Sequence, residues 1–187
     1  MRTALLRLFQ WPGRLLPLPA WSRLSGQRLI LPFYHVVSDA PLPHISPLYP
    51  VRTVAQFAED LETLCRHYQP LGVAEYLGLL ARGETPRRPS FLLTFDDGLR
   101  EMAEVVAPML QARGLEAIFF LNPAFLDNQG LFYRYRVALL LHRIAERPPD
   151  AATRQALTGE LDAMGLPAGT LSTRLRQIGY DQREDLP

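Results

Sequence analysis

The sequence is poor in several residue types and patterns that define common classes of protein. It has one cysteine, Cys65, which excludes an internal disulfide framework. A single cysteine does not indicate whether the protein resides in an oxidising or a reducing compartment. It has no lysine, and all 20 basic residues are arginine. No apolar run approaches the ~20 residues of a transmembrane helix. Because 19 acidic residues nearly balance the arginines, the formal net charge is +1 and no overall field favours nucleic acid as a partner.

Charge is uneven at the start of the sequence. Residues 1–27, a basic lead-in segment, place arginines among Leu, Phe and Trp and contain no acid. This pattern is typical of segments that contact an anionic membrane surface, so peripheral membrane contact is one interpretation. Packing of the segment on the domain is the other. Arginines and prolines interrupt any signal-peptide core, which leaves a cytoplasmic or membrane-peripheral location as the expectation.

Strand and helix patterns alternate in the first half of the sequence. The branched and aromatic run "RLILPFYHVV" predicts a strand that ends near His35. Thr53 and Gln56 form a capping-box pattern at the start of an amphipathic helix, and Cys65 falls in that helix, where we expect a buried thiol. The apolar residues 91–95 then predict a buried strand.

A helix and a third strand are predicted next. After Gly98, apolar residues recur at helical spacing as far as Gly114, and Pro108 should kink this helix. The segment "EAIFFLNP" predicts a strand closed by Asn122. A strand, a helix and a strand at this spacing indicate a right-handed βαβ unit, hence an α/β fold with parallel strands.

The rest of the sequence predicts helices and no strand, at residues 131–147, 150–164 and 170–178. Three strands followed by helices leave a parallel sheet with open edges, so we expect an incomplete α/β domain. We predict three parts: a lead-in at residues 1–27, an α/β part at residues 28–130 and a helical insertion at residues 131–187. The sequence is expected to end within the domain.

The segment "FLLTFDDGLR" places two adjacent carboxylates, Asp96 and Asp97, where the buried strand ends. Asp-Gly after an apolar run is typical of a hairpin, but a helix is predicted to follow instead of a second strand. The pair should therefore lie at the carboxyl end of a parallel strand, where α/β proteins bind ligands. Helix capping accounts for one aspartate, whereas two neighbouring carboxylates repel each other unless a cation is near. A metal-linked role is the favoured hypothesis.

The stretch "LLTFDDG", the following helix with Pro108, and "RGLEAIFFLNP" closely resemble the start of the NodB-type polysaccharide deacetylases, carbohydrate esterase family 4. Upstream, "LPFYHVV" is similar to the segment that opens the first strand in many members. One departure is "LEAIFF", where the family usually has Pro-Ala-Thr-Phe-Phe. The resemblance covers roughly residues 28–125 and implies a partial NodB-like (β/α) barrel, incomplete and followed by a helical insertion.

The resemblance also implies an activity, the metal-dependent hydrolysis of N-acetyl groups on a glycan. By position, Asp96 would be the general base and Asp97 a ligand of a divalent metal, with Zn²⁺ the expected ion. The family supplies further ligands from a later His-Ser/Thr-x-x-His motif, and none of the four histidines of this sequence forms such a pair. We therefore expect the N-terminal part of a deacetylase, with an incomplete metal site and no activity alone.

Two more residues are candidate substrate contacts, and two other functions stay open. His35 ends the first predicted strand and Asn122 the third, so both should share an edge of the sheet with Asp96. The missing histidine pair favours a sugar-binding or interaction module without catalysis. Magnesium-dependent phosphoryl transfer is less favoured, because the sequence has no lysine to pair with a phosphate.

Overall fold

The computed structural model describes residues 24–128 and 130–185, and tertiary contacts divide the chain into two units. In described residues, the first unit comprises 24–37 and 53–121, and the second comprises 38–52 and 122–185. The predicted boundaries at residues 27 and 130 stay predictions.

The proposed membrane-contacting segment lies mostly outside the described residues, which begin at Leu24. Within the described ranges, no helix combines the length and the apolar character that crossing a bilayer requires.

The described part of the first unit alternates short parallel strands with helices. Its elements are β1 (Leu29–Ile30), β2 (Phe33–Tyr34), α1 (Val54–His67), β3 (Gln69–Pro70), α2 (Val73–Ala81), β4 (Ser90–Phe91), β5 (Leu93–Phe95), α3 (Ala107–Gln111) and β6 (Ala117–Phe119). Two parallel sheets form, with strand orders β1-β4-β3 and β2-β5-β6. The predicted α/β class with parallel strands is confirmed, and the described strands do not close a barrel.

Pro32 explains why the first predicted strand appears as two. Amides of alternate residues from Ser90 to Asp96 donate to carbonyls of alternate residues from Arg28 to Tyr34, at 2.8 to 3.2 Å. Pro32 accepts one of these bonds but has no N–H to return another, so the ladder is interrupted there. The prediction of one continuous strand is wrong for this reason, although its end near His35 is correct.

Helix α1 begins with the predicted capping box. The Thr53 hydroxyl accepts the Gln56 N–H and the Gln56 amide oxygen accepts the Thr53 N–H, both at 3.1 Å. The helix buries Phe57, Leu61 and Leu64.

Cys65 is exposed, so the prediction of a buried thiol is wrong. The residue follows Leu64 directly and lies one position outside the buried stripe of α1. Residual burial raises the pKa of the Cys65 thiol, and the positive charge of Arg113 opposes this shift.

The helix that carries Pro108 is irregular one turn before the proline. Residues Met102–Val106 form a π-helical turn, and α3 follows it directly. In regular α-helical geometry the Pro108 ring would crowd the carbonyl of Glu104, and the wider turn relieves this conflict. The sequence predicted an irregularity in this helix near Pro108, and the structure shows that it is a π-helical turn.

The second unit has turns at residues 38–52 and helices from residue 123 onward, and helices were predicted there from residue 131. Its elements are a 3₁₀ segment (Pro123–Asn128), α4 (Tyr133–Glu146), α5 (Ala151–Ala163), α6 (Leu171–Arg176) and a second 3₁₀ segment (Tyr180–Asp185). Asp150 and Thr170 cap α5 and α6 with their side chains. A separate core joins the helices, formed by Tyr133, Val137, Leu141, Leu161, Leu166, Leu175 and Ile178.

Candidate active site

The acidic pair lies at the carboxyl end of β5, the central strand of its sheet. The three residues of β5 are buried, and the half-buried Asp96 and Asp97 follow them at once. The Asp96 N–H donates to the carbonyl oxygen of Tyr34 at 3.1 Å, so pairing with β2 fixes the backbone of Asp96. The chain after Gly98 enters a helix, which excludes the hairpin interpretation of the Asp-Gly step.

One face of this sheet is an aromatic layer. The ring of Phe95 stacks on Tyr34 and on Phe119, with centroids 5.7 and 5.0 Å away. Phe57 of α1 packs edge-on against Tyr34 and Phe95. Since side chains alternate along a strand, Asp96 belongs to the opposite face, away from α1.

The structure brings His35 and Asp96 together at one edge. Tyr34 pairs with Phe95, so the residues that follow, His35 and Asp96, are neighbours in register at the carboxyl ends of β2 and β5. The His35 ring is half-buried and contacts the ring of Phe33, with centroids 5.8 Å apart. This is the shared edge that the sequence predicted for the pair.

Asn122 lies in the second unit, three residues beyond the end of β6. Its side-chain oxygen accepts the N–H of Ala124 at 3.1 Å. The residue also lines a cavity of the second unit together with aromatic residues of the sequence "FYRYR". No site was predicted there from the sequence, although that cluster of aromatic residues and arginines was the available signal.

The turn at the acidic pair carries backbone strain. Asp97 has φ of 73° and is the only non-glycine residue with positive φ in the described part of the chain. Gly98 follows with φ of 70°. Left-handed residues other than glycine are costly and cluster at functional sites, although aspartate tolerates this region better than most. The two left-handed residues turn the chain from β5 into the next helix. The backbone conformation of Asp97 sets the direction in which its side chain leaves the backbone.

Replacing Gly98 with alanine is expected to lower the free energy of unfolding by about 1–2 kcal/mol, because alanine pays the left-handed penalty that glycine avoids. The new Cβ would lie 2.7 Å from Cδ2 of Leu121, an exposed side chain that can rotate away. Urea unfolding followed by circular dichroism measures the loss.

The matched control is Gly159→Ala inside α5, where a Cβ meets nothing within 4 Å. This variant is expected to be up to about 1 kcal/mol more stable than the parent, since alanine favours helix. Equal stability of the two variants would show that the turn at Gly98 does not depend on a left-handed glycine.

The described residues do not complete a zinc site. A catalytic zinc takes about three protein ligands. Among the side chains that the structure describes, no group of three His, Cys, Asp or Glu is placed to hold a metal ion. The described side chains around Asp97 therefore do not form a complete metal centre.

An acidic pair at the carboxyl edge of a parallel sheet, at the opening of a helix, makes this edge the candidate ligand site of an α/β protein. Residues 83–166 match the family model described as polysaccharide deacetylase, which is 84 of the 187 residues. This match confirms the resemblance to the NodB-type deacetylases. It contains Asp96 and Asp97, begins later than the predicted 28–125 and continues through α5. No curated protein matches the sequence.

Proposed function

We propose that this chain carries the acidic part of the active site of a metal-dependent glycan de-N-acetylase. The observation that supports the proposal best is the position of Asp96 and Asp97, inside the matched segment and at the carboxyl end of the buried strand β5. At the level of the family, the match indicates a hydrolase that removes acetyl groups from polysaccharides. The proposed substrate is a glycan with N-acetylated sugars.

The proposal gives the two carboxylates different roles. Asp96, whose backbone is fixed by β2, is the general base, and Asp97 is a ligand of a divalent metal, Zn²⁺ by preference. His35 borders Asp96 in the sheet register and is a proposed substrate contact. Asn122 is proposed to contact a sugar within the second unit, where it lines a cavity.

The remaining metal ligands are proposed to lie in polypeptide that this sequence does not contain. This follows because the described residues do not form a group of three metal-ligating side chains with Asp97. The same observation favours one alternative, a sugar-binding module that retains the fold without catalysis. The absence of lysine from the sequence gives phosphoryl transfer no comparable support.

Zinc titration and acetate release separate these proposals. We expect a polypeptide of this sequence neither to bind zinc in the micromolar range nor to release acetate from N-acetylglucosamine oligomers. A polypeptide extended by the in-frame coding sequence beyond Pro187, if it supplies a His-Ser/Thr-x-x-His motif, is expected to do both. In that polypeptide, Asp97→Ala should lose zinc, whereas Asp96→Asn should keep zinc and lose acetate release.

The matched control is Glu104→Gln, which removes an exposed carboxylate from the helix after the pair and should change neither readout. Zinc binding and acetate release by the 187-residue polypeptide itself would refute the proposal that its metal site is incomplete. An extended polypeptide that binds zinc but releases no acetate would refute the deacetylase and leave the sugar-binding module.

A further inference from the structure

Helix α2 of the first unit is largely apolar, yet none of its residues is buried. Six of its nine residues are Val, Ala or Leu. Leu77 and Leu80 are 53% and 62% exposed, and Ala74 and Ala81 are exposed as well. Single exposed apolar residues are normal on a protein surface, whereas four on one short helix form a patch of the kind that contacts a partner.

These four residues share one side of the helix and are called the α2 stripe below. Ala74, Leu77 and Ala81 lie three and four positions apart, so they fall in one row along the helix. Leu80 follows Leu77 by three positions and borders this row. The alanines at both ends let a second helix approach closely, and the leucines between them supply apolar surface to bury. The α2 stripe therefore suits contact with another helix.

Two opposite charges border the α2 stripe on one side. Glu75 lies in the first turn of α2, and Arg82 directly follows the last residue of the helix. Both side chains are exposed, and their separation of seven positions is about two helical turns. The Nε of Arg82 donates to the Glu84 carboxylate at 3.0 Å. A Cβ at Gly78 would lie only 3.2 Å from Nη1 of Arg82, so this guanidinium lies close to the helix surface, beside the stripe.

A second copy of α2, running antiparallel, matches the apolar residues and the charges in a single register. A twofold axis between positions 78 and 79 places Leu77 opposite Leu80 of the second copy. The same axis places Glu75 opposite Arg82 of the second copy, and symmetry repeats both contacts. A parallel pair in register would instead set glutamate against glutamate and arginine against arginine, which repel each other. The charges of α2 thus favour an antiparallel copy of the same helix as its partner.

We propose that two copies of this chain associate through the α2 stripe, antiparallel, with Glu75 of each copy paired with Arg82 of the other. A helix of nine residues is about 14 Å long, so the contact falls below the ~1,200–2,000 Å² that stable interfaces bury. We therefore expect a weak dimer, with a dissociation constant on the order of 100 μM. The surface includes neither Asp96 nor Asp97, so the proposal goes beyond the deacetylase activity and does not depend on it.

Sedimentation equilibrium of the full 187-residue chain, from about 10 μM to about 1 mM, should show a monomer in equilibrium with a dimer. Glu75→Arg and Arg82→Glu each turn both charge pairs into like-charge pairs, so each variant should associate at least about tenfold more weakly. An equimolar mixture of these two variants should dimerise again, because each supplies the charges that the other lacks. The variant that carries both changes should regain dimerisation by itself.

Leu77→Gln tests the apolar part of the contact. It removes a leucine from both halves of the interface and should weaken association at least about tenfold. Leu139→Gln, the same change at a 40% exposed position of α4, should leave association unchanged. Circular dichroism checks that each variant keeps its fold. A dimer unaffected by Leu77→Gln, or charge variants that do not associate when mixed, would overturn the proposal. So would a chain that is monomeric at every concentration, which would leave the lead-in at residues 1–27 as the occupant to test.

Discussion

Replacing Phe95 with alanine is expected to lower the free energy of unfolding of the first unit by about 3–5 kcal/mol, the cost of deleting a fully packed aromatic ring. Phe95 is 1% exposed and lies in the middle of the aromatic layer, stacked on Tyr34 and Phe119 and met edge-on by Phe57. Its removal opens a cavity between β5 and α1 and also removes three ring contacts.

Amide hydrogen exchange measures this loss unit by unit. In Phe95→Ala, the amides of β5 and β6 should exchange faster through global opening of the first unit, whereas those of α4 and α5 should keep their parent rates. The control is Phe33→Ala on the adjacent strand β2, where the ring is 68% exposed and the expected change is within about 0.5 kcal/mol. A Phe95→Ala variant no less stable than Phe33→Ala would contradict the role of the aromatic layer.

The position of Phe95 links this packing to the candidate site. It directly precedes Asp96, whose N–H is bonded to Tyr34 of the same layer. A ring locked on both sides therefore fixes the strand end from which both carboxylates project. Stability of the layer and placement of the acidic pair are two consequences of the same contacts.

The parts of the fold that the sequence predicted are those specified by local patterns. The run at residues 91–95 is almost entirely apolar, so burial was expected whichever strands it pairs with. All five residues are buried. The capping box of α1 depends on two residues three positions apart. The helices of the second unit were predicted to within a few residues, because apolar spacing and capping residues mark them.

Features that depend on distant partners were not predictable in this way. β3 has two exposed residues and no apolar pattern, and it is a strand only because Gln69 and Pro70 pair with β4. The division of the first strand follows from Pro32, whose missing N–H matters only once the opposite strand is known.

The candidate site shows the same limit. His35 and Asp96 were expected to share an edge because each ends a strand, and the register of β2 with β5 places them side by side. The left-handed conformation of Asp97 has no signature beyond the following glycine. The cavity of the second unit joins Arg136 to Tyr180 and Arg183, more than 40 positions later, which no local pattern reveals.

A buried arginine in the second unit gives the last prediction. The side chain of Arg174 in α6 is 5% exposed, and Nη2 donates to the Asp162 carboxylate of α5 at 2.6 Å and to the carbonyl oxygen of Leu166 at 3.3 Å. Its Nε is buried with no hydrogen-bond partner among the described residues. Asp162 is thus the counter-charge of a cation that water barely reaches.

Asp162→Ala is expected to cost about 2–3 kcal/mol, because it leaves the Arg174 charge buried without its anion. The figure lies below the ~3–5 kcal/mol of a fully buried pair, since the Asp162 side chain is 66% exposed and solvent screens it. Arg174→Met, which removes the charge and keeps an apolar stem, should cost less. Adding Asp162→Ala to Arg174→Met should then cost little.

Urea unfolding of the four members of this double-mutant cycle measures the coupling, which we expect to exceed about 1 kcal/mol. Glu160→Ala, an exposed acid on the same helix, is the control and should change stability by no more than about 0.5 kcal/mol. If Asp162→Ala behaved like Glu160→Ala, Arg174 would be stabilised by the Leu166 carbonyl alone. In that case the contact between α5 and α6 would rest on their apolar residues, Leu161 and Leu175.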